Sequence, residues 1–169
     1  MSYHMIATLT DATGSHLPAK PAPGRPRDGI EIQAYSMGVE SPRDSASGQV
    51  TGRRTHKPVT MVGEFTLAKP RLYGILNTKA TLPTVEIHFY PSADLQAAPA
   101  YLVELNDVSI VSINPHSRAT PVTGRQVVHS PLLSRDVEEL TRIEFTFRTI
   151  TVTHGSGKKT SEDDWLSTG

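Results

Sequence analysis

Residues 101–110 read Tyr-Leu-Val-Glu-Leu-Asn-Asp-Val-Ser-Ile, and the places of the apolar side chains in this stretch decide the fold. Tyr101, Val103 and Leu105 point to one face of an extended chain, because successive side chains of a strand alternate. Val108 and Ile110 continue on the opposite parity, so the strand resets its inward face around Asn106 and Asp107, as a bulge would make it do. The same reset recurs where Ile143, Phe145 and Phe147 give way to Ile150 and Val152. Long strands that bend in this way occur where a sheet curls upon itself, and two of them predict a barrel in preference to a flat sheet.

The flanking segments supply the other strands. Residues 84–90 (TVEIHFY) set Val85, Ile87 and Phe89 against Glu86 and His88, and Pro91 stops the run. Ile30, Ile32 and Ala34 alternate with Glu31 and Gln33, residues 3–9 alternate weakly, and residues 56–66 are rich in β-formers. Gly63, inside that last run, marks a bulge or a close backbone approach. One short helix is predicted over residues 70–79, where Pro70 suits the first helical position and Leu72, Ile75 and Leu76 recur at spacings of three and four. The expected fold is therefore mostly β, a compact β-barrel of two curled antiparallel sheets with one short flanking α-helix.

Polar segments join these elements. Residues 10–28 gather Pro18, Pro21, Pro23, Gly24 and Pro26, and residues 114–135 are polar and contain proline, so both are read as loops. Residues 40–54 (ESPRDSASGQVTGRR) hold Val50 as their only sizeable apolar side chain; they cannot cover a core and are expected to be exposed. A flexible tail is expected from about residue 154, with Trp165 as its one large apolar group. The 169 residues are read as a single domain, a size at which folding removes roughly two thirds of the chain's surface from water.

Composition narrows the function. Lysine plus arginine (17) equals aspartate plus glutamate (17), so no net field draws the chain to nucleic acid or to an acidic membrane. Cysteine is absent, which excludes disulfides, thiolate nucleophiles and cysteine-bearing zinc sites. No apolar run has the length of a membrane span, and nothing near Met1 reads as a secretory signal; synthesis in the cytoplasm is expected, and export, if it occurs, needs a route other than an N-terminal signal. The histidines (His4, His16, His56, His88, His116, His129 and His154) fall one per segment, without the spacing of metal ligands. His88 reads as a strand residue facing solvent or an interface.

No catalytic constellation stands out. His129 and Ser130 are adjacent in a loop, yet no serine sits in a Gly-x-Ser-x-Gly elbow and no carboxylate is placed to orient a histidine. Glu138-Glu139 and Glu162-Asp163-Asp164 read as solvated charge. Arg53, Arg54, His56 and Lys57 concentrate positive charge beside the flexible stretch that contains Ser45, Gly48 and Gly52. Without a phosphate-binding glycine pattern or interleaved aromatics, this group reads as a protein contact at a sheet edge, where arginine is favoured. No enzyme, cofactor, metal, nucleic-acid partner or membrane insertion is expected.

In the order of these features the chain resembles the Hcp family (hemolysin-coregulated proteins) of type VI secretion systems, from about Gly29 to Trp165. The resemblance lies in Ile30-Glu-Ile-Gln-Ala-Tyr35-Ser36-Met-Gly38-Val39, in Gly52-Arg53-Arg54-Thr55-His56-Lys57-Pro58, in Pro70-Arg-Leu72-Tyr73, in the strand over 84–90, in the Leu-Asn-Asp-Val-Ser-Ile core of 102–113, and in 143–149 followed by Glu162-Asp163-Asp164-Trp165. Family members usually carry a serine just before the helix proline. Here Leu67-Ala68-Lys69 stand there, which removes a cap worth about 1 kcal/mol unless Thr66 substitutes. The resemblance implies a non-enzymatic tube subunit whose copies close into hexameric rings that stack into an expelled inner tube, with effectors carried in the lumen. It implies the sheath, spike and baseplate proteins and small effector cargo as partners. By the same resemblance Ser45, Gly48, Gly52, Arg53, Arg54, His56 and Lys57 form the ring-stacking loop and edge. A ring-forming effector carrier or chaperone, or a secreted effector of the same system, is the alternative.

Overall fold

The computed structural model describes residues 3–21, 24–52, 54–91, 98–121, 135–155 and 159–165. Among these residues, ten strands and one helix follow in the order β1 (His4–Thr10), β2 (Ile30–Ser36), β3 (Val39–Glu40), β4 (Thr55–His56), β5 (Val59–Gly63), α1 (Lys69–Thr78), β6 (Thr81–Tyr90), β7 (Tyr101–Pro121), β8 (Arg135–Thr146), β9 (Thr149–His154) and β10 (Lys159–Asp164). The strands β7-β6-β1-β2-β5-β8 pair in sequence, and β8 returns to β7, which closes a six-stranded antiparallel barrel. Strands β9 and β10 extend from the first half of β7, while β3 and β4 form a separate small ribbon.

Strand β7 is the spine. It pairs with β6 as far as Ser109, with β9 from Tyr101 to Asn106, and with β8 from Ser109 onward. The change of partner falls on Asp107, whose φ is 48°, and the Arg148 N–H donates to the Asn106 carbonyl at 3.0 Å beside it. Leu105 and Val108 are both fully buried, so the inward parity does reverse there. The β6–β7 register nevertheless runs unbroken across Asp107, and the register shift in β7 lies further on, between Ile110 and Ser112 in the ladder with β8. The second reset, after Phe147, proves to be a break between two strands: β8 and β9 run along β7 in succession with Phe147 and Arg148 at the corner.

The interior is filled by the alternating side chains of the closed sheet, among them Leu9, Ile30, Met61, Ile87, Leu105, Ile143 and Phe145. In β2 the period-two reading holds for Ile30 and Ile32 but not for Ala34, which is exposed, because the register shifts between Ile32 and Ala34 and turns Tyr35 inward. Gly63 faces that shift. A Cβ on it would lie 2.5 Å from the Glu31 carbonyl oxygen and 2.9 Å from Ile32 Cδ1, so only glycine lets the two backbones approach.

Helix α1 packs Leu72 fully into the core, with Ile75 and Leu76 partly buried against it. Its N-cap is Ala68, which offers no side-chain bond, so Thr66 does not take the capping role. Lys79 ends the helix in the left-handed conformation, its N–H bonded to the Leu76 carbonyl at 3.2 Å.

Two segments expected to be irregular carry strand. Residues 114–121 prolong β7 and pair with the start of β8, because Arg118, Ala119 and Thr120 have Glu138, Val137 and Asp136 as cross-strand neighbours. Residues 159–164, expected in the tail, form β10 against β9.

Candidate functional site

The stretch between β2 and β5 projects from the barrel as a hairpin arm. Its base is the β3–β4 pair, Val39 opposite His56 and Glu40 opposite Thr55. Further out, Arg43 and Val50 form a single bridge, and the Thr51 N–H donates to the Pro42 carbonyl at 2.8 Å. The tip is a turn closed by Asp44. Its Oδ1 accepts the N–H groups of Ala46 at 2.6 Å and Ser47 at 3.0 Å, and its backbone carbonyl accepts that of Gly48 at 2.8 Å. Those backbone N–H groups hold the Asp44 carboxyl below its ordinary pKa. Gly48 stands at φ 68° with nothing within 4 Å of a would-be Cβ, so it is required for its backbone angle and not for space. Gly52, at φ 96°, meets the same demand on the returning strand.

The arm leaves its own apolar groups in water. Val39 is 53% and Val50 58% exposed, and Met37 at the foot of the arm is exposed as well. Ser45, Gly48, Gly52, Arg54 and Lys57 are all exposed. Lys57 Nζ reaches Glu40 Oε1 at 2.5 Å across the base. Arg53 lies outside the described residues.

His56 differs from the rest of this group, because it is buried. Its Nε2 stands 3.0 Å from Asp163 Oδ2, while Arg54 Nη2 donates to Asp163 Oδ1 at 3.1 Å. The imidazole stacks on Trp165 with centroids 6.1 Å apart and meets the edge of Phe147 at 5.3 Å; Phe147 and Trp165 meet at 5.0 Å. One carboxylate of β10 thus takes hydrogen bonds from two residues on the returning side of the arm's root, and His56, Phe147 and Trp165 form an aromatic trio. Charge-assisted bonds of this kind hold geometry better than neutral ones. The reading of residues 162–164 as solvated charge does not survive at Asp163, whose side chain is 14% exposed. Its partners are 107 and 109 positions away, and no local pattern could have linked them.

The other singled-out groups lie elsewhere. His88 pairs with Glu86 at 3.2 Å and stacks beside Tyr90 on the outside of β6. Glu139 takes an ion pair from Lys69 at the start of α1. His129 and Ser130 lie outside the described residues. Among the described residues no group of histidine and carboxylate side chains is arranged to hold a metal ion, and no helix is long and apolar enough to cross a membrane. Among the described residues the arrangement is an exposed hairpin pinned at its root.

The described residues form a closed antiparallel barrel with one flanking helix and a projecting arm. The profile of the family described as "Type VI secretion system effector, Hcp" matches residues 22–154. The "Major exported protein" of Pseudomonas aeruginosa is 33% identical over 141 residues, spanning 83% of this chain and 77% of that protein. Among solved structures, the secreted protein Hcp3 from Pseudomonas aeruginosa is 25% identical with a TM-score of 0.68, covering 98% of this chain and 100% of that one. The Hcp1 protein of an E. coli EAEC 042 pathovar reaches a TM-score of 0.74 at 23% identity over 98% of this chain and 100% of that one, a likeness of fold. The chain belongs to the Hcp family of type VI secretion proteins, which are structural and secreted proteins, not enzymes.

Proposed function

We propose that this chain is the tube subunit of a type VI secretion system, closing into hexameric rings that stack through the arm over residues 39–56. The observation that carries the reading is the arm itself. It is ordered to its tip, fixed at its root by His56 and Asp163, and yet holds Val39 and Val50 in water. A segment exposed over residues 39–52 but pinned at its root is suited to a contact with another molecule. A heterologous contact whose rotation closes gives a ring, and β10, which ends the sheet among the described residues, is a strand that a neighbour would cover.

On this reading the protein is held in the cytoplasm until the machine fires and is then expelled with the spike, driven by the sheath from its baseplate. Small effectors travel in the lumen. The basic residues at the arm's root act in protein contact, and Ser45, Gly48, Gly52, Arg53, Arg54, His56 and Lys57 belong to the stacking surface or its support.

Light scattering and negative-stain micrographs of the purified protein test this. Rings and short stacks are the expected result. A monomer at every concentration and salt, with no rings in the micrographs, would end the proposal.

A further inference from the structure

The chain holds four methionines and no cysteine, so all of its sulfur is thioether. Met61 is fully buried in the barrel and Met5 is partly buried against the core, whereas Met37 is 40% exposed. Among the described residues Met37 is therefore the thioether that a dissolved oxidant meets first, since oxidation follows exposure. Its Sδ accepts a hydrogen bond of 3.2 Å from the Tyr35 hydroxyl. A thioether is a weak acceptor. The donor, by contrast, is firmly set, because the register shift in β2 turns Tyr35 inward and its ring meets Phe89 edge to face with centroids 5.5 Å apart. Burial, with the Tyr101 phenol beside it, pushes the Tyr35 hydroxyl well above the ordinary phenol range, so it keeps its proton and remains a donor.

Met37 and Gly38 join the end of β2 to β3, the outgoing leg of the arm. Beside Met37 the two legs are closed on each other. The Lys57 N–H donates to the Gly38 carbonyl at 2.8 Å, and a Cβ added to Gly38 would lie 3.3 Å from Lys57 Cδ. The arm's root is thus held unequally: the returning leg has the charge-assisted bonds of Arg54 and His56 to Asp163, while the outgoing leg has a phenol on a sulfur.

We propose that Met37 is an oxidation site at which hydrogen peroxide turns this weak fixing into a strong one. A sulfur lone pair attacks one peroxide oxygen, the O–O bond breaks and an S–O bond forms; the transferred oxygen gives up its proton, and the second oxygen takes it and leaves as water. Sulfur loses two electrons and the peroxide gains them. A turn about the Cγ–Sδ bond brings the sulfoxide oxygen, which carries a partial negative charge that the thioether lacks, to the Tyr35 hydroxyl. The outgoing leg is then held by a full hydrogen bond, and methionine sulfoxide reductases restore the thioether. The inference concerns the arm's root within a single chain, so it goes beyond the tube-subunit reading and does not depend on it.

Full-length protein is treated with dilute hydrogen peroxide and its peptides are followed by mass spectrometry. Met37 is expected to gain one oxygen at least roughly tenfold faster than Met61, and ahead of Met5. Equal rates at Met37 and Met61, or Met5 ahead of Met37, overturn the site. Amide hydrogen exchange reads the fixing. The Lys57 N–H is expected to exchange roughly threefold more slowly in the oxidised protein than in the reduced one, and Tyr35→Phe is expected to abolish that difference. Exchange at Lys57 that is unchanged or faster after oxidation, or a slowing that survives in Tyr35→Phe, overturns the proposed bond. In Met37→Leu the exchange of Lys57 should be indifferent to peroxide, and a slowing there would place the effect on another residue and equally sink the proposal.

Discussion

His56 and Asp163 meet at 3.0 Å although 107 positions separate them, and this pair joins the root of the projecting arm to strand β10. Arg54 shares the same carboxylate, and Trp165 and Phe147 shield the imidazole. Strand β10, outside the closed barrel, therefore holds the root of a hairpin that precedes it by most of the chain.

Replacing Asp163 by alanine leaves a buried imidazole without its acceptor and frees Arg54. A hydrogen bond to a charged group is worth about 1–3 kcal/mol, so denaturant unfolding should shift by that amount. Stacking should fall by more than stability alone explains, read as shorter tubes at a temperature where the variant is fully folded. Asp163→Glu is expected to recover part of both; an Asp163→Ala protein with normal stability and normal tubes would show that the pair holds nothing.

Deleting residues 45–52 removes the tip of the arm, none of which is buried. The barrel should fold with an unchanged circular dichroism spectrum and nearly unchanged midpoint, since little apolar area is lost. Rings should persist while stacks disappear. Loss of the β-sheet spectrum would mean that the arm is part of the barrel's own stability.

Thr141 sits fully buried in β8 at the end of its pairing with β5, and among the described residues its Oγ1 has no hydrogen-bond partner. Valine has nearly the same shape without the hydroxyl. Thr141→Val should stabilise the protein by about 1 kcal/mol, because an unsatisfied buried polar group is removed at constant volume. A calorimetric midpoint that falls would show that the hydroxyl is satisfied after all.

The hydrogen bond from His88 holds the Glu86 carboxyl below its ordinary pKa, opposed by partial burial and assisted by the charges of His88 and His16. A carboxyl depressed on folding contributes stability that is present above its unfolded value and lost as pH falls through its folded value. Acid titration of stability should therefore be shallower over that window in Glu86→Gln than in the unaltered protein. The effect should be small, since both side chains are partly exposed and screened by solvent. Parallel titration curves for the two proteins would count against it.

Local pattern reaches as far as local physics does. Alternation at Val85, Ile87 and Phe89 and helical spacing at Leu72, Ile75 and Leu76 could be read directly, because each element buries one face whatever its neighbour is. The reversal of parity between Leu105 and Val108 could also be read, and with it the curl of the sheet. The exposure of the arm followed from its lack of apolar side chains. Ala34 departs from the alternation because the register shift opposite Gly63 is a property of two strands together.

The sequence by itself determined a mostly β chain, its bends, its one helix and its polar arm, since these depend on residues a few positions apart. Tertiary structure alone decided that Asp163 grips Arg54 and His56, and that residues 114–121 find a cross-strand partner in β8. Those facts depend on which distant segments become neighbours when the barrel closes, and closure is a cooperative event that no short window of sequence encodes.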